Sequence, residues 1–250
     1  MDEMYPPEAK NLNVIEHLEE LRRRLLVCLG FLLAVTVVAF SQGHKLMRWA
    51  LAPSQGLIDN LIFIRPTEVF TSYLKVSLIA GAAISMPVLL YEAWAFLSPA
   101  VSSKQKSHIG VWIFFAVVCC VLGVLFSYYG AFPIALRFFL GFAKGIAEPQ
   151  ITIEKYISFF GALMLIGSIV FEIPVVIGLL TDMGFLRSRI LQTKRAYAVV
   201  IILIVAAVIT PTQDIFNMLV FAVPMVLLYE LGILIAKLIE SKKKEPRSIK

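Results

Sequence analysis

The feature that most constrains this chain is a series of long apolar runs, among them residues 107–129, which carry no formal charge. A helix rises about 1.5 Å per residue and a bilayer's hydrocarbon core is about 30 Å thick, so about 20 apolar residues span it. Of the 250 residues, 59% are hydrophobic and 16% are charged, whereas soluble domains have about 45–50% and about 25%. A surface with so few charges must face lipid and not water. This composition excludes a soluble enzyme, a nucleic-acid-binding domain and a disordered tail protein.

The apolar runs predict an all-α polytopic membrane protein, organised as a single membrane domain over residues 1–250. Because lipid offers backbone groups no hydrogen-bond partner, each span is expected to be a helix. Lys75 lies near one end of a run, where its side chain is expected to reach the interface. Six spans are predicted, at residues 25–44, 69–91, 107–129, 156–183, 196–209 and 215–235.

The lysines and arginines fall mainly on one side of these spans. Sixteen lie in the N-terminal segment, the second and fourth connections and the C-terminal tail, whereas six lie in the other connections. Short cytoplasmic connections carry the excess of basic residues in membrane proteins. Both termini are therefore predicted to be cytoplasmic, with residues 236–250 as a basic tail.

The connections on the outer side are long, at residues 41–68 and 130–155. Within them, residues 45–51 and 134–142 have helical spacing of apolar side chains and predict short amphipathic helices that cap the outer face. The fifth span holds about 14 residues before the Thr210-Pro211 break, or roughly 21 Å of helix. We therefore expect short fifth and sixth helices. Three interpretations of the short fifth span stay open: the bilayer thins there, polar residues are drawn into the bilayer, or the short length reflects helix packing alone.

Glu172 is the most informative single residue, because apolar residues flank it on both sides within the fourth span. A carboxylate at the centre of a membrane helix costs about 2.5–3.5 kcal/mol. Pro174 removes a backbone donor and is expected to kink the helix just after this acid. Two interpretations stay open, namely a buried acid hydrogen-bonded to a neighbouring helix and a functional polar site within the bilayer.

The segment before the first span, residues 13–24, has the pattern of an amphipathic helix lying on the cytoplasmic surface. Asn13 is a suitable N-cap, with Glu16 three residues later as its capping-box partner. Glu19 and Glu20 are placed to pair with the arginines at 22–24 along the helix. Alternatively, one carboxylate stays free for a partner's guanidinium group, which can bind it with two hydrogen bonds. The apolar stripe of this helix consists of Val14, Leu18, Leu21 and Leu25.

The sequence contains no motif of a hydrolase or of a nucleotide-binding enzyme, since HExxH, GxSxG and P-loop patterns are absent. The three cysteines, Cys28, Cys119 and Cys120, lie in apolar runs without metal-ligand or disulfide spacing. No enzyme, cofactor or metal site is therefore predicted. One alternative function is a secondary transporter with Glu172 as its ion- or proton-coupling site, although no internal repeat is visible. A structural assembly scaffold is another.

Five short motifs occur in order along the chain. They are His17-Leu18-Glu19-Glu20-Leu21-Arg22; Pro87…Tyr91…Trp94-Ala95-Phe96…Pro99; Phe171-Glu172-Ile173-Pro174; Thr210-Pro211…Asp214; and Ala222-Val223-Pro224…Tyr229-Glu230. Together, on six spans with a cytoplasmic N-terminus, these motifs resemble the TatC family, the large subunit of the Sec-independent twin-arginine protein translocase. The resemblance extends over essentially the whole chain.

The resemblance implies a cup-shaped, six-helix receptor in the bacterial cytoplasmic membrane, which binds signal peptides with consecutive arginines on proteins exported in folded form. It implies assembly, in multiple copies, with small single-span subunits of the TatA and TatB type. It also implies proton-motive force as the energy source, and no cofactor, metal or nucleic acid. Membrane lipid is the remaining expected partner.

Site residues are carried over from the family by position. Glu20, with Glu19 beside it, matches the carboxylate that receives the signal arginines. Arg22 and Pro53 match positions important for activity, and Glu172 matches an intramembrane acid. The further residues expected to take part are Trp94 and Phe96 in signal-peptide binding, and Pro174, Thr210 and Asp214 in functional connections.

The chain departs from the family pattern at Gln105, where the resemblance leads us to expect a second arginine-binding glutamate. A glutamine accepts a hydrogen bond but carries no charge, so the expected recognition site is one charge short. Glu92 ends the second span on the cytoplasmic side. We therefore hypothesise that Glu92 partly compensates for Gln105.

Overall fold

The computed structural model describes residues 14–58, 60–97, 109–143, 148–212 and 214–244. Within these ranges the chain is almost entirely helical and forms no β-strand, which confirms the all-α polytopic fold. The α-helices are α1 (Val14–Ser41), α2 (Gly43–Leu51), α3 (Thr67–Leu97), α4 (Ile109–Phe126), α5 (Phe132–Ala143), α6 (Ile153–Val170), α7 (Ile173–Asp182), α8 (Ser188–Thr193), α9 (Arg195–Ile209) and α10 (Ile215–Lys244).

Five stretches of the described chain are long and apolar enough to cross a membrane. They are Glu16–Ser41, Thr67–Ala93, Gly110–Phe142, Ile153–Asp182 and Ile215–Lys243. The apolar helix α9 is shorter, since its 15 residues reach only about 22 Å. The structure therefore contains five long apolar stretches and one short helix, in the order expected from the sequence.

The N-terminal amphipathic segment is not a separate surface helix. It continues without a break into the first span, so that α1 is a single helix of 28 residues. The physical reason is local. Helix α1 contains no proline, and its first glycine is Gly30, beyond the expected turn. The Glu20–Arg24 pair at i, i+4 stabilises the helix where the turn was expected.

The expectation of a short sixth helix is wrong. Helix α10 has 30 residues, about 45 Å, and extends as far as Lys244 into the segment expected to be a basic tail. One side of the helix remains apolar beyond the predicted end at residue 235, where Ala236 is fully buried. Further along, the Glu240 carboxylate accepts hydrogen bonds from the Ser188 backbone N–H and hydroxyl.

The face of the bundle opposite the N-terminal end of α1 carries the two expected cap helices, α2 and α5. We call it the outer face, after the side on which the sequence predicted it. Helix α5 is joined to α4 through a π-helical turn at Ser127–Ala131, so the third span and its cap form a continuous helical path. Two tyrosines fix α2 from neighbouring elements: the Tyr128 hydroxyl donates to the Trp49 carbonyl at 3.0 Å, and the Tyr156 hydroxyl donates to the Ala50 carbonyl at 3.0 Å. These bonds satisfy carbonyls near the C-terminus of α2.

The fourth span is broken between α6 and α7. Pro174 lies in the first turn of α7, where its missing N–H does no harm, but it prevents α6 from continuing. Glu172 is therefore located at the junction of two helices rather than inside one. The kink expected from Pro174 takes the form of this junction.

Helices α4 and α6 cross at two glycines, Gly123 and Gly167. A Cβ atom placed on Gly123 would overlap the Gly167 carbonyl oxygen, and it would lie 2.8 Å from the Gly167 carbonyl carbon and 2.9 Å from Ser168 Cα. Since all three atoms belong to backbone, the two helices touch without room for a side chain.

The turn between α9 and α10 is stabilised at both ends. Thr210 ends α9 in an extended conformation before Pro211, as the residue before a proline is expected to do. Asp214 caps α10, because its Oδ1 accepts from the Asn217 backbone N–H at 2.8 Å. Partial burial raises the pKa of the Asp214 carboxyl, but the hydrogen bonds from Asn217 and other neighbouring groups together outweigh that effect and hold the pKa below its ordinary value.

Two buried clusters hold the bundle together. The first joins α2, α3, α5 and α6 near the outer face around Phe132, Ile157, Phe160 and Leu163, each at most 1% exposed. The second joins α7, α9 and α10 around Ile202, Ala206 and Ile233. Much of α1 outside these clusters is exposed and apolar, as expected of a surface that contacts lipid.

Candidate functional site

The N-terminal end of α1 and the C-terminal end of α3 lie side by side. The two helices pack antiparallel: at one end Phe40 contacts Phe70, with ring centroids 6.2 Å apart, and at the other end Arg24 bonds to Glu92. The packed face of α1 includes Glu20, Arg24 and Cys28, at four-residue spacing. This periodicity brings two polar residues of the N-terminal segment against the last turns of α3.

Arg24 bridges two carboxylates there. Its Nη2 and Nε lie 2.6 and 3.0 Å from Glu20 Oε1, and its Nη1 lies 2.9 Å from Glu92 Oε2. The three side chains are 25%, 27% and 16% exposed, in the order Arg24, Glu20 and Glu92. We call Glu20, Arg24 and Glu92 the carboxylate pocket.

The three side chains of the carboxylate pocket carry one more negative than positive charge, since two carboxylates share one guanidinium. Each carboxylate offers about four lone-pair positions. Glu20 Oε2 and Glu92 Oε1 accept no hydrogen bond from any other described residue. The pocket can therefore accept further N–H donors, and a planar guanidinium is the side-chain group that fits two carboxylate oxygens best.

An aromatic pair lies beside the carboxylate pocket. The His17 ring stacks on Phe96, with ring centroids 4.3 Å apart and an interplanar angle of 18°. Trp94 belongs to the same last turns of α3, but its side chain lies outside the described part of the structure, as does Gln105. Of the residues expected to bind a signal peptide, the structure thus brings Glu20, Glu92 and Phe96 to one place.

Glu19 and Arg22 face a different side of α1. They are exposed together with Arg23, and none of the three forms an ion pair with another described residue. The expected pairing between the two glutamates and the three arginines is therefore realised in a single contact, Glu20 with Arg24.

Glu172 is separate from the carboxylate pocket. Its Oε1 is buried and has no hydrogen-bond partner among the described residues. The interpretation of a structural acid hydrogen-bonded to a neighbouring helix therefore does not hold for this oxygen. A buried polar atom without a partner costs about 1–3 kcal/mol, so the chain retains a destabilising group at this position.

The other expected residues lie near the outer face and shape connections. Pro53 belongs to the 3₁₀ turn Ala52–Ser54 that ends α2, where the Ser54 hydroxyl donates to the Leu51 carbonyl at 2.8 Å. Thr210 and Asp214 end α9 and begin α10, as described above. None of these residues contacts the carboxylate pocket, which lies at the opposite end of α1.

A polar network at the outer face was not predicted from the sequence. Lys75, expected to extend freely to the interface, bonds to Glu154 Oε1 at 3.1 Å and to the Ser158 hydroxyl at 2.8 Å. Arg65 bonds to the other oxygen of Glu154 at 3.1 Å. No local signal predicts this network, because Lys75 and Glu154 are 79 positions apart in sequence.

Comparison with known proteins gives a consistent result. Residues 16–224 match the family model described as TatC, Sec-independent protein translocase protein. A protein of that name from Carboxydothermus hydrogenoformans is 33% identical over 94% of this chain and 97% of its own length. Another from Aquifex aeolicus is 34% identical over 92% and 97%.

Solved structures agree with these relatives. A crystal structure described as the twin arginine translocase receptor TatC superposes with a TM-score of 0.78 at 34% sequence identity, covering 90% of this chain and all of that chain. A second, of the same receptor in the detergent DDM, superposes with a TM-score of 0.78 at 33% identity.

Proposed function

Because the chain belongs to the TatC family, and is thus a core component of a twin-arginine protein translocase, we propose that it is the receptor for twin-arginine signal peptides and that the carboxylate pocket binds their arginines. The observation that supports this proposal most directly is that Glu20 and Glu92, 72 positions apart, already hold a guanidinium between them. A signal-peptide arginine presents the same group.

The sidedness of the bundle fits this role. The excess of lysine and arginine on one face indicates that this face is cytoplasmic, and the carboxylate pocket lies on that face. A precursor made in the cytoplasm meets the pocket before crossing the membrane. We propose that the protein is a multi-pass protein of the bacterial cytoplasmic membrane with both termini in the cytoplasm.

Glu92 supplies the second carboxylate of the proposed site. A single exposed ion pair contributes about 0–1 kcal/mol, so one glutamate is insufficient for recognition. Glu92 is more buried than Glu20, so water screens its charge less, and it binds the same guanidinium of Arg24. This arrangement supports the hypothesis that Glu92 compensates for the uncharged Gln105.

The proposed partners follow from the family. We propose assembly, in multiple copies, with small single-span subunits of the TatA and TatB type, and export of folded precursors driven by the proton-motive force. Cells lacking this chain are then expected to retain folded twin-arginine precursors in the cytoplasm while small-solute uptake continues normally. Normal export in those cells would refute the proposed function.

Arg24 occupies the proposed site as an internal competitor. Replacing Arg24 with glutamine is expected to tighten binding of a twin-arginine peptide roughly tenfold, because the peptide no longer displaces charge-assisted hydrogen bonds worth about 1.5–3 kcal/mol. Arg23→Gln is the matched control, since it removes the same charge from an exposed position next in sequence. Fluorescence anisotropy with a labelled peptide measures both affinities. Equal affinities for the two variants would contradict the competition.

Glu172 is proposed as the intramembrane acid of the transport cycle. Glu172→Gln keeps the size and the hydrogen-bonding capacity of the side chain but removes its charge and its proton exchange, so export is expected to slow several-fold. Glu230→Gln provides the control, because Glu230 is exposed and paired with Arg195 at 2.7 Å. Pulse-chase measurement of precursor export distinguishes the two. Export by Glu172→Gln at the wild-type rate would show that the acid carries no proton here.

A further inference from the structure

An apolar groove of about 360 Å³ lies where α4, α7 and α10 meet, and no residue of α1 lines it. Its wall includes Trp112 and Phe115 of α4, Val175 of α7, and Leu231 and Ile235 of α10, and Lys242 lines one end. The groove is not part of the carboxylate pocket and has no role in the function proposed above.

Lys242 continues the apolar stripe of α10 by one turn. The stripe runs through Leu231, Ile235 and Leu238, so a residue at 242 lies on the same face, about 6 Å further along the helix axis. Lys242 is exposed and forms no ion pair with another described residue. The groove thus ends in an unpaired cation.

The neighbouring polar groups mark this end as the membrane interface. Trp112 Nε1 donates to Asp182 Oδ2 at 3.2 Å, and Lys243 Nζ lies 3.1 Å from Asp182 Oδ1. Tryptophan is enriched at the interface of a bilayer. Asp182 is engaged by Trp112 and Lys243, whereas Lys242 lines the groove, is exposed and has no ion pair within the described part of the chain.

The chemistry of the groove identifies its occupant. An extended peptide would need partners for its backbone N–H and C=O groups, and the wall is apolar. An acyl chain needs no hydrogen bonds, and the charge of Lys242 at the end of the groove complements an anionic headgroup.

We propose that this groove binds an anionic phospholipid, with an acyl chain along Phe115, Val175 and Leu231 and the phosphate on Lys242. A basic residue near a membrane surface contributes about 1 kcal/mol to the attraction of anionic lipid. The site therefore discriminates by headgroup charge, and the apolar wall contributes equally to all phospholipids. The proposal is independent of signal-peptide recognition.

Quenching of Trp112 tests this site directly. The chain has three tryptophans, at 49, 94 and 112, so Trp49→Phe with Trp94→Phe leaves Trp112 as the single emitter. The full chain in a non-ionic detergent micelle is titrated with phosphatidylglycerol or phosphatidylcholine carrying brominated acyl chains. Brominated phosphatidylglycerol is expected to quench at a lower mole fraction than brominated phosphatidylcholine.

The headgroup contact is tested by Lys242→Gln in the same background. The preference for phosphatidylglycerol is expected to fall about fivefold, which corresponds to about 1 kcal/mol. Lys237→Gln removes the same charge from an exposed position on α10 that does not line the groove, and it is expected to keep the preference. Equal quenching by the two lipids in the unsubstituted background, or an equal loss in both lysine variants, would overturn the proposal.

Discussion

Replacing Glu20 with lysine is expected to weaken binding of a twin-arginine signal peptide roughly a hundredfold, or about 3 kcal/mol. The change removes one of the two carboxylates that hold a guanidinium. It also places a second cation beside Arg24, whose Nη2 now lies 2.6 Å from Glu20 Oε1. Both effects oppose the arrival of a peptide arginine. Anisotropy of a labelled peptide, measured with the purified protein in detergent, gives the change in affinity.

Glu19→Lys is the matched comparison for this prediction. It makes the same charge change one residue away, on a face of α1 that does not contact Arg24 or Glu92. Salt screens the repulsion between exposed charges that are more than about 8–10 Å apart. The affinity for the peptide is therefore expected to fall only a few-fold. A comparable loss in both variants would mean that net charge, and not the carboxylate pocket, governs binding.

Replacing Gly123 with alanine is expected to destabilise the bundle by about 2–3 kcal/mol, near the upper end of ordinary overpacking. The added Cβ would overlap the Gly167 carbonyl oxygen and approach its carbon to 2.8 Å, and backbone atoms in the facing helix have no rotamer through which to move away. Helices α4 and α6 must therefore separate along their crossing. Thermal unfolding of the purified protein, followed by fluorescence-detected gel filtration, is the measurement.

Gly30→Ala serves as the control for the crossing. A Cβ at Gly30 would meet nothing within 4 Å, and alanine is the better helix former by about 1 kcal/mol. This substitution is expected to leave the melting temperature unchanged or to raise it. A Gly123→Ala protein that melts like Gly30→Ala would show that the crossing tolerates a side chain.

Local sequence properties predicted most of the secondary structure. The cap helices around 45–51 and 134–142, the break at Pro174 and the end of α9 at Thr210 each follow from the spacing of apolar residues or from a proline. The errors arose at helix ends. Helices α1 and α10 are longer than expected because apolar faces and i, i+4 pairs extend past residues that hydropathy alone treats as boundaries.

The candidate site was predictable in its residues but not in its pairing. Glu20 and Glu92 were each identified from sequence, yet their meeting through Arg24 depends on how α1 packs along α3. The same holds for Lys75 and Glu154 on the outer face. Contacts between residues so far apart in sequence arise from tertiary packing. The spacing of apolar and polar residues within either segment does not indicate them.

The competition between Arg24 and a peptide arginine links the structure of the free protein to its proposed function. A site with two carboxylates and no cation would leave partly buried charges of like sign close together, which is unfavourable. Arg24 reduces that cost in the absence of a precursor. The same contact limits affinity, so that a peptide with one arginine gains less by displacing Arg24 than a peptide with two adjacent arginines.

A double-mutant cycle tests most directly whether Glu20 contacts a signal arginine. Six affinities are measured, which form two cycles. The unsubstituted protein and Glu20→Gln are each tested with a peptide carrying the arginine pair and with two peptides in which one or the other arginine is replaced by glutamine. For one of the two, Glu20→Gln is expected to weaken the arginine-pair peptide about tenfold more than the substituted peptide, a coupling of about 1.4 kcal/mol. Equal losses for every peptide would contradict a direct contact between Glu20 and the arginine pair.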